Sequence, residues 1–195
     1  MELSLMLLLL ILLEILLLLV AIIFTTAFVI EGIFLLTSRQ LGSPYVPTQR
    51  KFFEDIRQAL SLKQGGTLFE LGSGDGSFLL FCAKKEPQAN YFGIERNPLL
   101  FAYAQMRKHF AGNPKNITFI FGNFFKADLS NASHIYAYLL PEVMELLLPK
   151  LEKRSNGLRV VSLGFPFAKR QTAEILELSK RNRFHHQHLL YIYEL

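Results

Sequence analysis

The chain has 195 residues, 21 Lys and Arg against 16 Asp and Glu, a net charge of +5, and a single cysteine. That length holds one ordinary domain with an appendage. One thiol, Cys82, excludes an intrachain disulfide framework and a thiolate metal cluster, and a half-hydrophobic composition excludes a disordered chain.

The appendage comes first. From Leu3 to Leu36 the sequence is almost wholly apolar, interrupted by Glu14 and Glu31. A bilayer span needs about 20 apolar residues. Glu14 near mid-span costs roughly 2.5–3.5 kcal/mol, which the many Leu and Ile outweigh. A signal peptide would need a basic start, a shorter apolar core and a small-residue cleavage site. Residues 1–38 are therefore expected to be a membrane anchor, with the lipid bilayer as partner through residues 3–36, and 39–195 the working domain. All 21 basic residues lie beyond the anchor, which takes three of the 16 acids, so the remainder carries +8. Positive residues stay on the cytoplasmic side. The expectation is a single-pass protein with a cytoplasmic C-terminal domain, in a bacterial inner membrane given the leucine-rich start. The basic residues are scattered and form no recognition motif, so no nucleic-acid partner is expected.

Residues 37–50 are rich in Gly, Ser and Pro and read as a linker. Thr48 suits the N-cap of a helix over Gln49–Leu62, whose Phe52, Phe53, Ile56, Ala59 and Leu60 recur at helical spacing, and Gly65-Gly66 would stop it. Thr67–Leu71 has strand character, and a helix over Gly76–Lys85 follows. Cys82 lies in that helix and is expected to be a buried small hydrophobe. Tyr91–Ile94 is a strand ending at Glu95. Pro98–Phe110 is a helix with Asn97 as cap. Ile117–Phe121 and Ile135–Leu140 are strands, Pro141 opens a helix over Glu142–Leu151, and Leu158–Leu163 is the next strand. Strands apolar on both faces that alternate with helices make a doubly wound, mostly parallel α/β sheet. Thr172–Lys180 fits helix or strand, and Gln187–Leu195 fits a strand. The preferred ending is an antiparallel hairpin turning at 181–183. The triplet His185, His186 and His188 is expected to be strand alternation at a solvated end, and no metal is called for.

The chemistry concentrates in Thr67–Ser77, TLFELGSGDGS. A glycine-rich turn from strand to helix aims backbone N–H groups and a helix N-terminus at a ligand. Dinucleotide sites use G-x-G-x-x-G. Here Gly72, Gly74 and Gly76 are spaced G-x-G-x-G, with Glu70 before them and Ser73 and Asp75 among them. Carboxylates repel a pyrophosphate but attract the sulfonium and ammonium of S-adenosylmethionine. Glu95, ending the next strand, is placed for the ribose hydroxyls, and Asn123 after the third strand for the adenine edge.

This pattern resembles the class I S-adenosylmethionine-dependent methyltransferases, with their Rossmann-like fold. The stretches YVPTQRKFFEDI (45–56), ELGSGDGS (70–77), GIERNPLL (93–100), YLLPEVMELLLPKL (138–151) and VVSLGFPF (160–167) resemble the small membrane-anchored protein-lysine methyltransferases. Members of that family modify the ATP synthase c-subunit and the adenine nucleotide translocase. The resemblance implies a protein-lysine N-methyltransferase acting on a membrane protein. It implies S-adenosylmethionine as cofactor, held by Glu70, Gly72, Gly74, Asp75, Gly76, Glu95 and Asn123; Ser73 within the turn and Asn97 after the second strand are further candidates for cofactor contact. Departures are Glu70 and Asn123 where Asp is common, Ser77 where a basic residue is usual, and Lys169-Arg170 where Trp often stands.

Methyl transfer to an amine is an in-line displacement that needs positioning more than a nucleophilic residue. Tyr138, Pro141, Phe165, Pro166 and Phe167 leave adjacent strands and are candidates for the walls of a lysine slot. Tyr45 to Thr48, with Pro47, are candidates for a lid on the cofactor. Two other functions share these features: methylation of a small molecule or lipid such as a quinone, and a non-catalytic membrane-anchored interaction protein.

Overall fold

A computed structural model describes residues 2–40, 45–153, 157–178 and 188–195. The chain divides into two units, Met1–Gly42 and Ser43–Leu195. The first is one helix, α1 (Glu2–Gln40). Its stretch Met6–Gly32 is long and apolar enough to cross a membrane, and residues 6–31 expose their side chains. Thr25 and Thr26 return their hydroxyls to the carbonyls of Ala21, Ile22 and Ile23. Their polarity is thus satisfied inside the helix.

The second unit begins with an extended segment and a 3₁₀ turn, Arg50–Phe52, that runs into α2 (Phe53–Leu60). It continues as β1 (Thr67–Leu71), α3 (Ser77–Lys85), β2 (Asn90–Glu95), α4 (Pro98–Phe110), β3 (Ile117–Phe121), β4 (His134–Ala137), α5 (Pro141–Glu152), β5 (Arg159–Leu163), β6 (Glu174–Glu177) and β7 (Leu189–Glu194). Among the described residues the strands form one sheet in the order β3-β2-β1-β4-β5-β7-β6. The first five strands are parallel, and β7 runs antiparallel between β5 and β6. The segment 174–177 is thus a strand, and the chain ends in the expected antiparallel pair. Its turn at 181–183, and His185 and His186, lie outside the described residues.

Alternate residues serve opposite faces. Leu68, Tyr91, Tyr136 and Val161 pack under α2 and α3, while Phe69, Ile94, Ile135 and Val160 pack under α5. Both faces are therefore covered, which is why these strands read as continuous apolar runs. Cys82 is buried among the first set, and burial pushes its thiol pKa up, the opposite of a reactive thiol.

Three local expectations are corrected. The helix after the linker stops at Leu60, because Ser61 takes a left-handed conformation (φ 49°) and its N–H closes on Arg57 and Gln58, before Gly65-Gly66 is reached. Thr48 is not its cap: that end carries no side-chain cap, and the Thr48 hydroxyl bonds Tyr136 across the fold. The fourth strand ends at Ala137, three residues early. Pairing with β1 and β5 ends there, and Leu140 takes the cap position of α5.

Candidate functional site

The site lies where β1 and β2 end side by side, at the carboxyl edge of the parallel strands, the usual ligand crevice of such sheets. Gly72 N–H and Ser73 N–H both reach the Ile94 carbonyl, at 2.9 and 3.1 Å, so the turn is tied to β2 from its first residue. Gly72, Gly74 and Gly76 all have positive φ (77°, 54° and 71°), which is what requires glycine there. A Cβ on Gly76 would collide with the Phe119 ring, and one on Gly74 would sit 2.6 Å from Tyr45 Cε2. Tyr45 therefore covers the turn. Burial first, and then the Asp75 carboxylate, push its phenol pKa up.

Two carboxylates face this turn with different partners. Glu95 is buried. It accepts Gly74 N–H on Oε2 at 2.8 Å and Asn97 N–H on Oε1 at 2.7 Å, leaving a lone pair on each oxygen. Glu70 pairs with Gly93 on one side and Tyr136 on the other in the sheet register and is also buried. Its Oε2 has no hydrogen-bond partner, and neither has the buried Ser73 Oγ. Burial, with Asp75 and Glu95 nearby, holds the Glu70 carboxyl well above the usual carboxylate range. A buried oxygen without a donor costs about 1–3 kcal/mol. Two of them at one glycine turn fit a cationic, hydrogen-bonding ligand such as the α-ammonium of S-adenosylmethionine. A phosphate would add charge of the same sign.

Asp75 has partners of its own within the fold. Its Oδ1 accepts Ser77 N–H at 3.1 Å and Ser77 Oγ–H at 2.6 Å, and its Oδ2 pairs with Arg107 on α4. The side chain braces the start of α3 and ties it to α4. Asn97 caps α4, accepting Leu99 N–H at 2.9 Å and Leu100 N–H at 3.3 Å. Asn123 accepts Phe125 N–H at 2.9 Å in a tight turn after β3. Pro47 is exposed, and the Thr48 and Tyr136 hydroxyls are bonded at 2.9 Å.

The slot candidates divide. The rings of Tyr138 and Phe165 lie nearly parallel, 11° apart in plane and 6.3 Å between centroids. Pro141 and Pro166 are exposed beside them in sequence. Phe167 is a core residue: it stands edge-on to Tyr193, 4.8 Å between centroids, and donates its N–H to the Tyr193 hydroxyl. Sequence inspection passed over Tyr136, Arg107 and Lys150. The one available signal was for Tyr136, since a tyrosine in a doubly covered strand must find a partner for its hydroxyl.

Fold and site together define a class I S-adenosylmethionine-dependent methyltransferase. Residues 70–174 match the ANTKMT methyltransferase domain. A protein-lysine N-methyltransferase of Saccharolobus islandicus is 32% identical over 153 residues, 77% of this chain and 92% of its own length. The ATP synthase c-subunit lysine N-methyltransferase of Caenorhabditis elegans is 33% identical over 134 residues, 66% of this chain and 70% of its own. Among solved structures, an RNA methyltransferase of Salinibacter ruber in complex with S-adenosyl-L-homocysteine superposes with a TM-score of 0.69 at 29% identity. That match covers 76% of this chain and 93% of the other. The chain belongs to the ANTKMT methyltransferase family.

Proposed function

We propose that this enzyme is a protein-lysine N-methyltransferase, held in a membrane by residues 1–38, whose acceptor is a lysine of a membrane protein. The observation that carries the lysine is the 32% identity to the archaeal protein-lysine enzyme over 92% of that protein. The membrane part is supported by the length and apolarity of Met6–Gly32, and the cytoplasmic placement by the absence of Lys and Arg before Arg39.

S-adenosylmethionine supplies an electrophilic methyl group on a sulfonium. Glu70 and Ser73 would hold its amino-acid end through the two oxygens that lack donors, and Glu95 its ribose hydroxyls through the remaining lone pairs. Gly72, Gly74 and Gly76 let the backbone approach closely. Asn97 orients Glu95 through its own N–H, and Asn123 would meet the adenine edge. Asp75 keeps the turn in shape rather than touching the cofactor. Pro47 and Thr48, with Tyr45, form the cover, latched to the sheet by the Tyr136 hydroxyl.

The acceptor amine must first lose a proton, at a pKa near 10.4 in water. Tyr138 and Phe165 would wall an apolar entrance, with Pro141 and Pro166 at its rim. Stripping water from the lysine there disfavours its ammonium form. The walls also aim the nitrogen, a contribution worth several kcal/mol in displacement reactions. Phe167 supports this entrance from the core.

The test is to incubate membranes with radiolabelled S-adenosylmethionine and the full-length enzyme, then find the label. Methyl-lysine in a membrane protein is the expected result, and label in lipid or quinone alone would overturn the lysine assignment. Tyr138→Ala should lose most of the transfer while keeping cofactor affinity; full activity would remove the slot. A second reading, methylation of RNA, is favoured by the Salinibacter structure and predicts label that ribonuclease releases.

A further inference from the structure

We infer that the edge unit α4–β3 is a membrane-contact surface for anionic lipid headgroups. Residues 96–127 contain five basic side chains, Arg96, Arg107, Lys108, Lys115 and Lys126, and no acid. This stretch comprises α4, the outermost strand β3 and the turn after it. Nine large hydrophobic residues are exposed among the described residues of the second unit, and six of them lie here: Tyr103, Met106, Phe110, Ile120, Phe121 and Phe125. Tyr103, Met106 and Phe110 recur at helical spacing on the outer face of α4, with Phe110 80% exposed.

An outer helix of a domain that meets only water carries charge on that face. Here Arg107 turns inward to Asp75, and the Lys108 ammonium to the Ile117 carbonyl. α4 exposes Tyr103, Met106 and Phe110 together with Ala102, Gln105 and His109, with no Lys or Arg among its exposed residues, flanked by the exposed Arg96, Lys115 and Lys126. β3 pairs only with β2, so its other edge has no strand beside it among the described residues. An open apolar edge calls for a cover. Tyr settles at the level of lipid headgroups with Phe and Met on the apolar side of that boundary, and exposed Lys and Arg with no acid among them are drawn to an anionic leaflet. The occupant is therefore the lipid–water interface, and the apolar stretch of the same chain accounts for its proximity, so the inference rests on the membrane placement proposed above. Asn97 caps α4 and donates its N–H to Glu95, so a surface that seats α4 also seats the cofactor edge beside the headgroups.

The full chain, reconstituted in nanodiscs, tests this with spin labels at Phe110→Cys and, as control, at the exposed Gln64→Cys. Cys82 is buried and stays unlabelled. With anionic phosphatidylglycerol present, the label at 110 should gain oxygen accessibility and lose accessibility to a water-soluble nickel chelate. The control should do neither. Purely zwitterionic discs or high salt should relax the protection at 110. Equal nickel accessibility at both positions overturns the inference. So does protection at 110 that depends on added RNA or on protein concentration, since those outcomes assign the face to nucleic acid or to a second copy. A Met106→Ser/Phe110→Ser enzyme should methylate a soluble lysine peptide as the parent does and a membrane-embedded acceptor more slowly. Equal loss on both acceptors would also overturn it. The label readout is independent of the methyl acceptor, so its failure is distinguishable from a failure of the lysine assignment.

Discussion

Replacing Glu70 by Gln removes a charge and keeps the shape, and the consequences run in opposite directions with and without cofactor. In the free enzyme Glu70 is 7% exposed, its Oε2 has no donor, and burial with two acidic neighbours raises its pKa. A carboxyl with a raised folded pKa binds its proton more tightly folded than unfolded. Its penalty is therefore absent below the unfolded pKa, grows as pH rises towards the folded pKa, and is fully present above it. Glu70→Gln should thus raise the melting temperature of the free enzyme in alkaline buffer and have little effect in acid. With cofactor the sign reverses. A hydrogen bond to a charged group contributes about 1.5–3 kcal/mol, so losing the carboxylate should weaken S-adenosylmethionine binding about 10- to 150-fold. Thermal denaturation across pH and titration calorimetry measure the two halves. A variant that binds as tightly as the parent, or that is less stable in alkaline buffer without cofactor, would refute the placement of a cation on Glu70.

Other substitutions probe the frame around the turn. Gly76→Ala puts a methyl group into the Phe119 ring at φ 71°, and should destabilise by the roughly 1–2 kcal/mol of a left-handed residue plus about 1–3 of overpacking, read as a lower urea midpoint. Tyr136→Phe breaks the bond to Thr48 and should cost roughly 0.5–1.5 kcal/mol in denaturant titration. Thr48→Val on top of it should add much less than it does alone, because the two act as one pair. Lys150 donates to the carbonyls of Phe124, Phe125 and Ala127, so Lys150→Met should destabilise by about 2 kcal/mol or more. It should also raise KM for the cofactor more than it changes kcat, since it frees the loop that carries Asn123.

Much of this is legible in the order of residues. The parallel core reads from strands that are apolar on both faces, the left-handed turn after β1 from three glycines at fixed spacing beside Glu70, and the α4 cap from Asn97-Pro98. These are local signals: a positive φ, a missing N–H or an apolar period belongs to a few consecutive residues. Thr48 shows where such signals stop. By sequence it suits a helix cap, yet its hydroxyl finds a buried tyrosine 88 residues away. Phe167, in line with Phe165, looks like a second slot wall, but β7 brings Tyr193 beside it and makes it core.

By itself the amino-acid order determined the sheet, the apolar N-terminal helix and the kind of cofactor, because each follows from periodicity, from glycine and from the charge beside it. Only the tertiary structure decided which partners each acid finds. Glu70 was left with an oxygen wanting a donor, Glu95 was tethered by backbone N–H groups, and Asp75 was spent on Ser77 and Arg107. The three carboxylates, one in β1, one in the glycine turn and one at the end of β2, are chemically alike. Burial and the groups that distant segments bring to them are what separate their surroundings.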